Sequence, residues 1–181
     1  MMLQYLETKE NYKDFILFYR LGDFYEMFFD DAITTSRELD LTLTGKDCGM
    51  EERAPMCGIP FHAADQYIAR LVKKGYKVAI CEQLENPALA KGLVKRDVVR
   101  IITPGTVTEG TLLVDGKNNF LCAIYINGSR AGIAVSDIST AEIYATDFIE
   151  ENDIQHKILN EIGVYAPSEV LVNLPQKVAK W

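Results

Sequence analysis

The sequence predicts an α/β protein in two parts. An N-terminal α/β domain with a mixed sheet flanked by helices is expected over residues 1–103, followed by a truncated second α/β domain. Three observations carry this. Short runs dense in aliphatic and aromatic residues alternate with segments of helical period as far as residue 103. At Thr103-Pro-Gly-Thr106 the alternation breaks, and three consecutive strand-like runs follow before the next helix. Apolar residues make up 48% and charged residues 25% of the 181, the balance of a chain that buries a core.

Residues 2–12 read as a short polar helix. Phe15 to Leu21 is too short and too apolar for a surface helix and reads as a buried strand. Gly22-Asp23 punctuates it, and a helix is expected from there to about Leu39, with Phe24, Met27, Phe28 and Ala32 near helical spacing. Leu41 to Gly45 alternates as a strand does, and Ala54 to Pro60 is a short strand or loop held by Pro55, Gly58 and Pro60. His62 to Lys74 fits a helix with Ala64, Tyr67, Ile68 and Leu71 inward, stopped by Gly75 at its C′ position. Tyr76 to Gln83 is a buried strand, Asn86 to Lys95 a polar excursion, and Asp97 to Ile102 a further strand.

Residues 104–118 read as a linker, rich in turn formers from Val114 to Asn119. Beyond it, residues 119–181, Phe120 to Ile126 and Gly132 to Ile138 form a hairpin about Asn127-Gly128, and Ala141 to Ala145 adds a third strand after Ser139-Thr140. Glu150 to Ile162 is an amphipathic helix with Ile154, Ile158, Leu159 and Ile162 on one face, and Glu169 to Val172 is a strand parallel in style.

Composition excludes several classes. Apolar runs are far too short to span a bilayer, and residues 1–15 carry no secretory signal. Four cysteines form no C-x-x-C pair, and His62 and His156 offer no zinc-ligand spacing, so buried free thiols are expected. Phosphate-cradle motifs are absent, since Gly45-Lys46-Asp47 and Gly116-Lys117-Asn118 lack the rest of a P-loop. The net charge of −7 points away from nucleic acid, but its distribution is uneven. Residues 1–69 hold 6 basic and 13 acidic residues, residues 70–100 hold 8 and 3, and residues 101–181 hold 5 and 10.

Two clusters have candidate chemistry. In Gly22-Asp23-Phe24-Tyr25-Glu26, Asp23 suits a helix N-cap with Glu26 completing a capping box. Alternatively, Phe24 at an exposed helix start is an apolar wedge of the kind that unstacks a base step from the minor groove, with Glu26 reaching a base edge. In Ala134-Val-Ser-Asp-Ile138, Asp137 is placed like the metal-binding carboxylate of a ribonuclease-H-type nuclease, with Glu142 and Glu161 as unmarked companions. The plainer role for Asp137 is to support a turn.

Four long segments resemble the MutS family of DNA mismatch-repair proteins: Phe18-Tyr-Arg-Leu-Gly-Asp-Phe-Tyr-Glu-Met-Phe28, Ala54-Pro-Met-Cys-Gly-Ile-Pro-Phe-His-Ala63, Val78-Ala-Ile-Cys-Glu-Gln83 and Val98-Val-Arg-Ile-Ile-Thr-Pro-Gly-Thr106. They occur in family order, and the similarity runs from residue 1 to about 180. The resemblance implies a mismatch-recognition domain over 1–103 and the start of a ribonuclease-H-like, non-catalytic connector over 119–181. The family's Phe-x-Glu motif falls on Phe24 and Glu26, the Phe stacking on the mispaired base and the Glu bonding to it. A carboxylate cannot donate to a purine nitrogen, so Glu26 is expected to act as the protonated acid. Leu21, Asp23, Pro60 and Phe61 are expected near the duplex, and Lys46, Arg70, Lys73, Lys74 and Arg96 are candidate phosphate contacts.

The resemblance also implies double-stranded DNA with mismatches or small loops as partner, a homodimer and a MutL-type repair partner in the full-length family, and a cytoplasmic location. ATP and Mg belong to an ATPase domain outside this sequence, so the fragment itself is expected to be no enzyme and to need no cofactor. Two other readings stand beside this one: a connector or docking fragment that binds no DNA alone, and a metal-dependent nuclease.

Overall fold

The computed structural model describes residues 1–49, 52–85, 92–108, 113, 116–149 and 153–173. Residues 86–91 of the polar excursion, 109–112 and 114–115 of the expected linker, 150–152 at the expected helix start, and 174–181 lie outside the described residues. The chain divides into two compact units, Met1–Thr103 and Pro104–Trp181.

The first unit runs α1 (Met2–Asn11), β1 (Ile16–Leu21), β2 (Phe24–Phe28), α2 (Phe29–Leu39), β3 (Thr44–Lys46), β4 (Ala54–Pro60), a 3-10 turn (Phe61–Ala63), α3 (Ala64–Lys73), β5 (Val78–Gln83) and β6 (Arg96–Ile102). Its strands form one mixed sheet in the order β3-β4-β2-β1-β5-β6, in which only β1 and β5 are parallel. The period of two along each strand sorts side chains to two faces. On one face Leu17, Tyr19, Phe28, Ala54, Ala79 and Cys81 pack around Tyr5 of α1. Tyr5 meets the Tyr19 and Phe28 rings edge-on, with centroids 5.3 and 4.9 Å away. Phe18, Met27, Cys57, Ile59 and Ile80 are buried on the other face, where α2 lies against β2 and β4 and α3 against β5.

One carboxylate knits α1, β1 and α2 together. Asp31 accepts hydrogen bonds from the Leu17 amide at 3.0 Å, the Tyr5 hydroxyl at 3.4 Å and Lys9 Nζ at 2.9 Å. Burial pushes its pKa above the ordinary carboxylate value despite these donors.

The expected helix from Gly22 to Leu39 is two elements, and this is a correction. Residues 24–28 are a strand, and the helix begins only at Phe29, whose φ of 55° makes the abrupt turn between them. Leu21 pairs with Phe24, so β1 and β2 are joined by a two-residue turn of Gly22 and Asp23. Gly22 has φ of 59° and Asp23 does not share the positive sign, the pattern of a type II′ hairpin. Tyr25 and Met27 pack on one side of β2 and Phe28 on the other, a burial that a helix over the same residues would not give. The strand expected over 41–45 is shorter and later, at Thr44–Lys46. Helix α3 ends as its Gly75 suggests: the amides of Gly75 and Tyr76 donate to Val72 and Leu71 carbonyls at 2.9 and 3.1 Å, with Gly75 at φ 89°.

The second unit contains a 3-10 turn (Pro104–Thr106), β7 (Phe120–Asn127), β8 (Arg130–Asp137), β9 (Glu142–Ile149), α4 (Ile154–Tyr165) and β10 (Glu169–Val172). The sheet order is β10-β7-β8-β9, antiparallel except for β10 beside β7. Ile158 of α4 completes a core of Cys122, Ile124, Ala131, Ile133 and Val135, with Ile154 and Ile162 beside it. Leu159, expected inward, is 44% exposed. Asn127 pairs with Arg130, so the hairpin turn is Gly128-Ser129 rather than Asn127-Gly128. Segment 104–118 opens packed against this unit: Gly105 donates to Glu169 Oε2 at 3.1 Å, and a Cβ there would stand 2.9 Å from Leu121 Cδ1.

Gly22 has no heavy atom within 4 Å of where a Cβ would stand, so its replacement tests backbone conformation alone. Gly22→Ala is expected to destabilise the first unit by more than about 1 kcal/mol, because alanine resists a positive φ, in a urea titration followed through Phe18 and Ile80 NMR signals.

Candidate nucleic-acid interface

The β1–β2 hairpin brings the predicted residues together at one end of the sheet. Leu21, Gly22, Asp23 and Phe24 form the tip, and Pro60, the last residue of β4, lies opposite Phe24. Phe24 is 47% exposed and Phe61 is 41% exposed, two large apolar rings at the same end of the sheet. Alternation places Glu26 on the same side of β2 as Phe24, and Gly58, which has no side chain, lies opposite it. A Cβ on Gly58 would lie 3.6 Å from Glu26 Cγ and 3.9 Å from Phe24 Cδ1.

Asp23 and Glu26 do not cap a helix. Asp23 is the second residue of the hairpin turn, and its carbonyl accepts the Phe61 amide at 2.9 Å. Glu26 Oε2 accepts from Lys46 Nζ at 2.6 Å, an ion pair whose side chains are 16% and 31% exposed. Lys46 therefore reaches the site, and its partner there is Glu26.

The other cations are dispersed. Arg96 begins β6 beside the tip, but its Nε donates to the Arg20 carbonyl at 2.9 Å, one of its terminal nitrogens donates to the Val94 carbonyl at 3.0 Å, and its guanidinium lies 5.3 Å from the Tyr19 ring centre. Arg70, Lys73 and Lys74 belong to the C-terminal end of α3. From there the chain passes through Lys77, whose carbonyl accepts from Ile16 at the start of β1. That places them near the opposite end of the sheet, about 16 Å along β1 from Leu21 at ~3.3 Å per residue. Arg70 lies 3.5 Å from Asp40, and Lys74 bonds the Glu38 carbonyl and carboxylate at 2.9 and 3.0 Å. Hydrogen bonding from Lys74, then from Tyr76, holds the Glu38 carboxyl below its ordinary pKa.

Sequence reasoning missed three residues behind the tip: Arg20, Tyr25 and Glu82. Arg20 Nε donates to the Gly22 carbonyl at 2.5 Å, its guanidinium lies 3.6 Å from the Phe61 ring centre, and it approaches Glu82 at 3.7 Å. Tyr25 donates its hydroxyl to Glu82. Burial first, and that bond second, push the Tyr25 pKa up to about 12. Nothing in the sequence marks the convergence of the three, which depends on β5 lying beside β1.

Family comparison decides the chain's affiliation. The model of MutS domain I matches residues 1–111, and that of MutS domain II matches residues 119–177. The chain belongs to the MutS family. Relatives named DNA mismatch repair protein MutS include one from Ruminiclostridium cellulolyticum, 65% identical over 173 residues, which cover 96% of this chain and 20% of the relative. Others are from Acetivibrio thermocellus, 64% identical with the same coverage, and Clostridium beijerinckii, 62% identical over 96% of this chain and 18% of the relative. The chain thus spans about a fifth of the length of the curated relatives it matches. Among the described residues no helix is long and apolar enough to cross a membrane.

In the region matched by MutS domain II, Asp137 is fully buried and committed to its own loop. It accepts from the Asn119 amide at 2.8 Å and from the Ser139 amide and hydroxyl at 2.9 and 2.6 Å. Glu142 accepts from Asn118 at 2.9 Å, and among the described residues no three His, Cys, Asp or Glu side chains converge as a metal cluster would. Burial raises the Asp137 pKa, but the bonds from Ser139 and Asn119 outweigh it and leave it below the ordinary carboxylate value. A depressed carboxylate stabilises the fold above its unfolded pKa of about 3.9 and loses that contribution as pH falls through its folded value. The second unit should therefore weaken below about pH 4, and Asp137→Asn should remove that part of the acid dependence. Asp137→Ala should cost about 1–3 kcal/mol at pH 7 in a thermal melt, because three hydrogen bonds to a charged acceptor are lost.

Proposed function

We propose that the first unit recognises mispaired or unpaired bases in duplex DNA, as a module of mismatch repair, by inserting Phe24 from the minor groove with Glu26 bonding to the displaced base. The observation that carries this reading is the pairing of a solvent-exposed Phe24 with Glu26 on one side of a rigidly registered strand. The names of the relatives, DNA mismatch repair protein MutS, agree with it.

The physics favours faulty pairs. Unstacking a base step costs a few kcal/mol, least where pairing is already broken, so a wedge discriminates by deformability. The hairpin suits this: its two-residue turn leaves the ring prominent, while β1 and β4 flank the strand that bears it. Glu26 engages as the protonated acid, which both donates to a purine nitrogen and avoids repelling the phosphates. Before DNA arrives Lys46 neutralises it. Lys46 and Arg96 lie near enough to the tip to meet the backbone once their present partners are exchanged.

Equilibrium binding to fluorescent duplexes with and without one mispair tests the wedge. Phe24→Ala should abolish the preference for the mispair while leaving matched-duplex affinity within about twofold, since backbone charge supplies non-specific binding. Equal losses on both duplexes would sink the wedge. Glu26→Gln should keep or tighten binding to both duplexes and reduce the preference between them, because the amide removes a charge beside the phosphates. If Gln at this position abolishes duplex binding, the repulsion argument is wrong.

A further inference from the structure

Behind the exposed ring, on the opposite side of the same hairpin, four groups converge that the recognition chemistry does not use. Arg20 pairs with Tyr25 across β1 and β2, so both side chains point away from Phe24 and Glu26. The Arg20 side chain is only 16% exposed. Its Nε holds the Gly22 carbonyl at 2.5 Å, its guanidinium lies 3.6 Å from the Phe61 ring centre and 5.6 Å from that of Tyr25, and a terminal nitrogen is 3.7 Å from Glu82 Oε1. The same Glu82 oxygen accepts the Tyr25 hydroxyl. Phe61 is itself fixed to the turn by its amide, which donates to the Asp23 carbonyl at 2.9 Å.

We propose that Arg20 is the positioning residue of the wedge, clamping the Gly22-Asp23 turn to Phe61 and to the end of β5 so that Phe24 meets DNA as a fixed, not adaptable, ring. This rests on the reading of Phe24 given above. Arg20 links the turn, β2, the segment after β4 and the end of β5 through one planar group. Both carbonyls of the two-residue turn are thereby occupied, Gly22 by Arg20 and Asp23 by Phe61. An unclamped turn would let the ring yield to an intact stack as readily as to a broken one, and selectivity depends on its refusal to do so. Lysine cannot replace the group, because stacking and in-plane hydrogen bonding together require a guanidinium. Burial against Phe61 and the proximity of Glu82 distinguish Arg20 from a phosphate-binding arginine, whose donors face outward.

Amide hydrogen exchange and duplex binding on the 181-residue chain, as wild type, Arg20→Met, Arg20→Lys and Phe61→Leu, test the clamp. Arg20→Met should speed exchange about tenfold at the protected amides that close the turn, those of Phe24 and Phe61, while leaving Phe18 and Ile80 unchanged, the signature of local opening. Its preference for a mispaired over a matched duplex should fall about fivefold or more, with matched affinity and its salt dependence unaltered. Arg20→Lys should lose the preference similarly, and Phe61→Leu, which keeps the apolar bulk, should follow in the same direction. Unchanged exchange at the turn overturns the clamp whatever the DNA result. Faster turn exchange with the preference intact overturns its role in recognition, and equal loss on both duplexes with a shallower salt dependence makes Arg20 a phosphate contact instead. Should Arg20→Met loosen Phe18 as well, Phe61→Leu decides by the same criteria. A wild-type chain with no mispair preference fails the reading of Phe24, and the recognition role of Arg20 falls with it.

Discussion

The pairing of Leu21 with Phe24 is the constraint on which the candidate interface depends. In a strand, neighbouring side chains point to opposite faces, so a slip of one residue would exchange the two sets completely. Phe24 and Glu26 would turn toward α2 and α3, and Tyr25 and Met27 would be pulled out of the core. A two-residue turn permits only one register, and Gly22 makes that turn accessible by accepting a positive φ. The far end of β1 is pinned independently, through the Leu17 amide on Asp31 and the Ile16 amide on the Lys77 carbonyl. Between these anchors the strand has no freedom to shift, and the exposure of Phe24 is imposed on the tip by the rest of the sheet.

Charge is arranged with the same economy. In the linear sequence residues 70–100 form one basic stretch, but folding divides it between the end of α3 and the start of β6. Several of its members then meet acidic or carbonyl partners: Arg70 with Asp40, Lys74 with Glu38, Arg96 with the carbonyl oxygens of Arg20 and Val94. Exposed pairs such as Arg70–Asp40 contribute little to stability, about 0–1 kcal/mol each. Lys46 is a different case, because its partner Glu26 belongs to the candidate site itself. Together these pairings leave a tip dominated by two exposed rings more than by a continuous basic surface.

Much of this was legible in advance, and the failures have physical causes. Apolar run lengths and Gly75 located β1, α3 and β5, while Ala54–Pro60, open between strand and loop in the sequence, is the strand β4. The stretch 24–28 was misread because Phe24, Met27, Phe28 and Ala32 satisfy a helical period while Tyr25, Met27 and Phe24, Glu26, Phe28 satisfy a period of two. Length could not arbitrate, because β2 runs directly into α2 with only the unusual φ of Phe29 between them. The Gly-Asp pair between two aromatic runs was the better guide. Phe24 and Glu26 stand out in the Gly22–Glu26 cluster and again in the family motif, whereas Arg20, Tyr25 and Glu82 come together only through the tertiary fold. Their partnership depends on which strands are neighbours, and β1 and β5 are separated by more than fifty residues.

A wedge that tests base pairs must be stiff where it touches and indifferent elsewhere, and the two demands pull against each other in a small sheet. Stiffness comes from packing, which wants apolar surface covered; indifference requires that the exposed ring find no alternative home in its own protein. The first unit separates the demands across the thickness of one strand pair. One side of the hairpin spends its interactions internally, with guanidinium, phenol, carboxylate and ring closing on one another and on the turn carbonyl. On the other side Gly58 stands opposite Glu26, close to the Phe24 ring. An apolar side chain at that position would cover Phe24 and lower the cost of its exposure, but it would also stabilise a retracted ring. With glycine at this position no side chain of residue 58 covers the ring, which is what the proposed insertion into a broken base stack requires.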